Sequence, residues 1–458
     1  MRILIRGAGD LATGIASRLY HGGHQIIMTE IAVPLTVRRM VAFSRAVYEG
    51  RAEVEDMTGI LVHSMEEANA VIQDGDIPII VDEKAEIVQK YKPDVIVDAI
   101  LAKKNLGTRM TDAPFVIGVG PGFTAGLDCH CVVETKRGHT LGMVLYDGSA
   151  IPNTGVPGNI GGFTTERLIR AGGNGLIEPV ASIGDMVEKG QVVAVTGGQK
   201  VYAQMSGIVR GMLQPGVQVW KNLKIGDIDA RCEKFHCFTI SDKARSIGGG
   251  VLEAVTGFEN IRNKYAIVVL AAGRSLRFGG ENKLLTTVSG KPLYEHTLAR
   301  LEGFWDFSRF VVTGYHEIEK RAEELGMHSV INLEPELGIS HSIQMGLKAC
   351  LEENPDIQGV LFSVCDQPKL HPATIQRLLN TAGLHKGQII CTANQGRPGN
   401  PVLWDRKFFP KLMSLSGDNG GKQIMAEIPE KIRYVEAHAK ELHDIDYKSD
   451  ISDLDYRE

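Results

Sequence analysis

Two stretches of the chain alternate short apolar runs with helical patterns, and the stretch between them does not. In residues 1–105 the apolar runs are Ile3–Ile5, Ile26–Met28, Ile60–Val62, Ile79–Val81 and Val95–Val97, with helical spacing at Leu11–Tyr20 and Glu83–Tyr91. Beyond residue 262 the rhythm returns, and strands are expected at Ala266–Leu270, Phe310–Thr313, Gly359–Val364 and Gln388–Thr392. Such alternation calls for a parallel sheet with helices on its faces. Between these stretches glycine is frequent, helical periodicity is scarce and short strands alternate with turns. The pattern predicts an α/β multidomain protein: a Rossmann-like domain over 1–105, a Gly-rich β domain over 106–257, and a second Rossmann-like α/β domain over 262–458. The stretch TGFENIRNK, residues 256–264, reads as a short linker between the last two.

Within the middle region two segments look like copies of each other, Ile183–Gln191 and Gln214–Asn222. Each has a Gly, then a Val, then a Lys-Gly or Lys-Asn turn. The duplication resembles a barrel-sandwich hybrid, the small β fold of biotinyl and lipoyl carriers. Lys200 is too close to Gly207 for a carrier's modified lysine and lacks flanking methionines, so the fold is expected without the modification.

Composition narrows the function classes. At 458 residues with 43% hydrophobic and 23% charged side chains, the chain reads as a globular enzyme. A formal net charge of -5 leaves no basic footprint for nucleic acid, so small molecules are the expected ligands. No apolar run reaches the roughly 18 residues of a spanning helix. Seven cysteines, an odd number, argue against a disulfide framework, and MRILIRGAGD reads as a buried strand; a cytoplasmic location is expected.

The sharpest chemistry follows the strand at 266–270. Leu270, Ala271, Ala272, Gly273, Arg274 and Ser275 form a small-residue loop whose backbone N–H groups can point at phosphate oxygens. Arg277 and Lys283 add positive charge to the same anion, in a spacing unlike Walker A. Asp366 ends an apolar strand, where an open α/β sheet has its ligand crevice, and reads as a Mg²⁺ ligand.

The stretch 268–283 resembles the L-A-A-G-x-S-x-R-x-G-x-x-K loop of the molybdenum-cofactor nucleotidyltransferases. Asn332–Ser342, which contains Ser340, resembles that family's segment beside the nucleotide, although Leu333 and Glu334 interrupt it. Arg397–Pro401, with Gly399 and Asn400, resembles the loop near the acceptor, and Gly417–Lys422 resembles a loop of the cytidylyl branch. Asp444–Asp446 resembles the closing motif, with Asp446 a second metal candidate or part of a solvated tail. The resemblance implies transfer of CMP from CTP to molybdopterin, giving the cytosine dinucleotide and pyrophosphate. Ala272, in place of a second Gly, favours CTP over GTP. Arg277 and the loop would hold the triphosphate and Lys283 would act near the α-phosphate.

At the start of the chain, Gly7 and Gly9 form a Gly-x-Gly-x-x-Ala turn between the first strand and a helix, and Glu30 follows the second strand. These are the elements of a dinucleotide site, for NAD(P) or another dinucleotide, or of a plain βα turn. Gly118–His130, Pro152–Gly162 and Ser241–Gly250 closely resemble the accessory protein of selenium-dependent molybdenum hydroxylase systems, over roughly residues 1–257. An apo molybdenum hydroxylase is then the implied partner. Cys129, His130, Cys131, Cys232, His236 and Cys237 fit no standard zinc spacing. Buried structural cysteines, sulfur or selenium handling at Cys129 and Cys237, and a metal all stay open. The alternatives to the transferase are a cofactor-binding chaperone and a sugar- or alcohol-phosphate nucleotidyltransferase.

Overall fold

The computed structural model describes residues 1–153, 155, 161–275, 278 and 282–455, the last four by backbone alone. The chain divides into two compact units, Met1–Val255 and Thr256–Glu458.

All five apolar runs of the first stretch are strands. They join a nine-stranded sheet in the order Val144–Leu145, Cys131–Val133, Phe115–Val119, Val95–Asp98, Arg2–Arg6, Gln25–Glu30, Ile77–Val81, Met57–Val62 and Arg51–Val54. Pairing is parallel throughout except at the two edges. The sheet continues across position 105, because Phe115–Val119 adds in parallel to Val95–Asp98. Helix Asp10–His21 follows the first strand. Of the helical stretch expected at Glu83–Tyr91, only Val88–Tyr91 forms.

Residues 168–229 build two four-stranded sheets with antiparallel pairing. Their shared core includes Ile177, Val187, Val193, Val209, Val219 and Ile228. The two sequence copies take equivalent places, since Met186–Val187 and Gln218–Val219 are each the edge strand of one sheet. The repeat is a turn signal: Gly184 and Gly216, then Gly190 and Asn222, all have positive φ.

Residues 256–261, expected in a linker, instead continue a helix that runs Asp242–Ile261. Val251, Ala254, Val255, Phe258 and Ile261 are buried at helical spacing, which outweighs the polar look of the segment. The same helix carries three consecutive glycines, and two of them are closely packed. A Cβ on Gly248 would meet the Gly14 carbonyl oxygen at 2.5 Å, and one on Gly250 would meet the Gly142 oxygen at 2.0 Å.

The second unit holds a seven-stranded sheet ordered His328–Ile331, Ser308–Thr313, Tyr265–Leu270, Gly359–Val364, Arg397–Asp405, Ile389–Asn394 and Ile432–Glu436. Arg397–Asp405 is antiparallel to both neighbours, and the other pairings are parallel. Helix Ile339–Glu353 covers one face, burying Ile343, Leu347 and Cys350 against Val268, Val312 and Phe362. Among the described residues no helix is long and apolar enough to cross a membrane.

Candidate functional site

Register brings the second unit's chemistry together. Leu270 pairs with Val312 on one side and Val364 on the other, so three parallel strands end at one level. The segments that follow them converge on one crevice. There the Ala271 N–H donates to the Val312 carbonyl at 2.8 Å, and the Thr313 hydroxyl donates to the Ala271 carbonyl at 3.2 Å. The Tyr315 hydroxyl donates to the Gly273 carbonyl at 3.0 Å. Ser275 has φ 52°, and its hydroxyl accepts from the Lys283 N–H at 3.1 Å. Asn282 caps the next turn by accepting from the Leu284 N–H at 3.0 Å. Arg277 lies outside the described residues.

Lys283 stands at the centre. Its Nζ donates to Asp366 Oδ2 at 2.5 Å and to the Ile445 carbonyl at 2.9 Å, with Asp446 Oδ1 at 3.4 Å. Burial works against the ammonium, but Asp366 and Asp446 together raise its pKa above the ordinary lysine value. The tail that carries Asp446 is pinned by two bonds. The Ile445 N–H donates to the Asp366 carbonyl at 3.0 Å, and the Gln367 amide donates to Asp444 Oδ1 at 2.9 Å. Burial, with Asp366 and Asp446 nearby, holds the Asp444 carboxyl above its usual range.

Lys283, Asp366 and Asp446 line a cleft of about 340 Å³ with Ala272, Gly273, Arg274 and Ser275 on one side and Gly338 and Ile339 on another. Helix Ile339–Glu353 begins there without a side-chain cap, so its first turn offers N–H groups other than that of Ser340 to an anion. Ser340 itself is buried, its N–H on the Gly417 carbonyl at 3.2 Å, and Ser342 reaches the cleft instead. Gly399 and Asn400 lie on the strand Arg397–Asp405, outside the cleft lining, where the Gly399 carbonyl accepts from the Cys391 thiol.

The described lining has Arg274 and Lys283 as cations against Glu336, Asp366, Asp418 and Asp446. A bare triphosphate would meet this carboxylate excess unfavourably, so a divalent cation fits the charge balance. Among the described residues Asp366 Oδ1 is buried with no hydrogen-bond partner, an oxygen available to a hard cation. Among the described residues no group of three or more His, Cys, Asp or Glu forms a protein-only metal cage. Magnesium needs none, since one or two carboxylates and the substrate phosphates suffice. The residues present therefore fit Mg²⁺ at Asp366 and Asp446. Sequence reasoning placed Asp418 and Asp444 in motifs without giving either a role, and it did not single out Tyr315 or Gln367.

In the first unit, Gly7 has φ 96°, and a Cβ there would press on the Ala99 carbonyl oxygen at 3.0 Å. Gly9 precedes helix Asp10–His21. Glu30 turns inward rather than standing free: one carboxylate oxygen accepts from the Ala8 N–H at 2.9 Å and the other from the Ile31 N–H at 2.9 Å. All seven cysteines are free thiols. Burial pushes Cys129 up to about 12 and Cys131 well above the ordinary value. Burial also raises Cys237, although Arg210 and Arg38 pull the other way. These groups are thiols, not thiolates, at neutral pH. His130 is buried with its Nδ1 accepting from the Val116 N–H at 3.0 Å.

Residues 267–433 match the family described as "MobA-like NTP transferase domain". The chain is 51% identical over 253 residues to "Uncharacterized protein YqeB" of Escherichia coli (strain K12), covering 55% of this chain and 47% of that one. It is 29% identical over 137 residues to the "Molybdenum cofactor guanylyltransferase" of Serratia proteamaculans (strain 568), covering 30% of this chain and 64% of the relative. It thus spans less than two thirds of either protein. Rv0371c from Mycobacterium tuberculosis H37Rv, a solved structure, shares 24% identity over 42% of this chain and 96% of that one, at a TM-score of 0.35. A score that low adds nothing to the assignment.

Proposed function

From a C-terminal unit that is a nucleotidyltransferase domain, we propose that the protein transfers CMP from CTP to the terminal phosphate of molybdopterin, or of its molybdenum form. A phosphate oxygen of the acceptor attacks the α-phosphorus in line, the bond to the α–β bridging oxygen breaks, and pyrophosphate leaves. An ionised phosphate needs no general base, so the protein contributes positioning and charge. Backbone N–H groups of 272–275 and the start of helix Ile339–Glu353 hold phosphate oxygens, together with Arg277. Lys283 neutralises charge beside the α-phosphate. Mg²⁺, held by Asp366 and Asp446, would neutralise the triphosphate when bound. The observation that carries the reading is the Lys283 ammonium fixed between Asp366 and Asp446 at the floor of the cleft.

Relatedness to a molybdenum cofactor guanylyltransferase favours GTP as a second reading for the nucleotide. The Ala272 of the loop favours CTP. For the first unit the proposal is an accessory module that serves an apo molybdenum hydroxylase, as the resemblance of residues 1–257 implies. The test is incubation with Mg²⁺, molybdenum-loaded molybdopterin and either nucleotide, measuring pyrophosphate and the dinucleotide. CTP-dependent product that disappears in Asp366→Ala upholds the reading. Product with GTP alone moves it to guanylyl transfer, and none with either leaves a cofactor-binding chaperone.

A further inference from the structure

The first unit contains a cleft of about 720 Å³ that the transferase reading does not use. One wall is the carboxyl end of the parallel sheet, with Gly9, Leu11 and Ala99; the other is the antiparallel module, with Arg210 and Lys224. The start of helix Asp242–Ile261 adds Lys243. Eight cationic side chains line this space against three carboxylates.

Internal pairing does not absorb that excess. Asp227 is taken by Arg167, buried with it, and by the partly buried Arg210. Asp10 lies 3.6 Å from Arg38, and both Glu30 oxygens accept backbone N–H groups. Arg137 is held by Asp242 through two bonds, at 2.7 and 2.8 Å. Lys103, Lys224 and Lys243 are left without an ion-pair or hydrogen-bond partner among the described residues. Desolvation pulls the half-buried Lys243 ammonium below the ordinary lysine value, and it shifts Lys224 the same way although that residue is exposed at the rim of the cleft. At Lys224 attraction to Asp227 and Asp10 meets repulsion from Arg210 and Arg167, and at Lys243 repulsion from Arg137 meets attraction to Asp10, Glu134 and Asp242. Like charges gathered in a concave site are costly unless an anion joins them.

The cleft also opens into an adjoining space of about 430 Å³ floored by Leu101, Pro121 and Ile151. Leu11, Lys103, Arg137 and Lys243 border both spaces. At that junction the uncapped N-terminus of helix Asp10–His21 adds its own N–H groups.

We propose that this cleft binds a phosphorylated small molecule bearing a diphosphate, whose charge lies among Lys103, Arg137, Lys224 and Lys243 and whose organic part extends into the adjoining space. The site is separate from the nucleotide cleft of the second unit and stands whether or not that unit transfers CMP. It adds to the Gly7–Gly9 turn, which lines the same cleft, side chains contributed by a strand, a helix and loops far apart in sequence.

The test uses the full chain without divalent metal. Inorganic pyrophosphate is titrated calorimetrically into the wild type and into Lys224→Gln/Lys243→Gln. The variant should lose one class of site, with affinity at least tenfold weaker, and keep its CTP turnover in a separate assay with Mg²⁺. Lys224→Arg/Lys243→Arg should retain binding. In the unsubstituted protein, pyrophosphate should slow acetylation of Lys224 and Lys243 several-fold relative to exposed Lys200, a reading that no folding defect can imitate. Identical isotherms with unprotected lysines overturn the proposal. So does a turnover that falls in step with the affinity. Displacement of pyrophosphate by NAD⁺ would identify the ligand as a dinucleotide, and no displacement a smaller phosphorylated compound; either result upholds the site.

Discussion

Lys283 serves three oxygens at once, so its removal leaves Asp366 and Asp446 facing each other without a cation between them. Lys283→Ala should lower kcat by about 10²–10³-fold, the range for deleting one preorganised charge donor, as read from single-turnover product formation. Asp444 gives a pH test. Its carboxyl is held above the usual range by burial and two like charges, so ionising it costs the fold stability. That cost is absent at low pH, where the group is protonated in both states. It grows as pH rises through the ordinary carboxylate range near ~4. Asp444→Asn keeps an oxygen for the Gln367 amide, and should melt higher than wild type at pH 7, with the gain shrinking toward pH 4 in thermal scans. The loop from Leu270 to Lys283 and the strand-end Asp366 were legible because their chemistry follows local spacing. Asp444 and Asp418 were legible only as members of motifs, and Gln367 not as a site residue, because only tertiary contact gives them a role. Ser340 was legible as a segment and misplaced as a side chain: helical geometry turns it inward and turns Ser342 to the cleft.

Elements meet at glycines that no other residue could replace. Gly338 has φ 86°, and a Cβ on it would stand 2.4 Å from the Gly417 carbonyl, where the turn at 335–338 packs on the loop carrying Asp418. Gly338→Ala should cost about 1–3 kcal/mol for strain and overpacking. It should also raise KM for the nucleotide, because both loops line the cleft; denaturant melts and steady-state kinetics check the two effects. Gly14 performs the same service in the first unit, where a Cβ would meet Ala244 Cβ at 2.5 Å. Gly14→Ala should destabilise by a similar ~1–3 kcal/mol without changing nucleotide turnover. Strand positions were legible from apolar runs at every element named from the sequence. Residues 256–261 misled because Thr, Gly, Glu and Asn on the exposed side mask the buried Phe258 and Ile261. The second cleft was illegible for a related reason: Lys103, Lys224 and Lys243 share no motif and meet only when two kinds of sheet face each other.

The whole molecule has two compact units with separate clefts, so a ligand for one should not stabilise the other directly. In calorimetry, Mg²⁺ with CTP at a hundredfold excess over Kd should stabilise one transition by about 2.7 kcal/mol and leave the other in place. Pyrophosphate without metal should shift the other. The sheets have a further consequence for synthesis. The nine-stranded sheet draws on residues 2–145, the antiparallel pair on 168–229 and the last sheet on 265–436, so none waits for strands from a later one. A chain that folds as it leaves the ribosome can close each in turn. The exception is the helix Asp10–His21, whose Gly14 faces Ala244 and Gly248. That face stays bare until more than two hundred further residues have emerged, which makes the first helix one of the earliest elements made and one of the last to be covered.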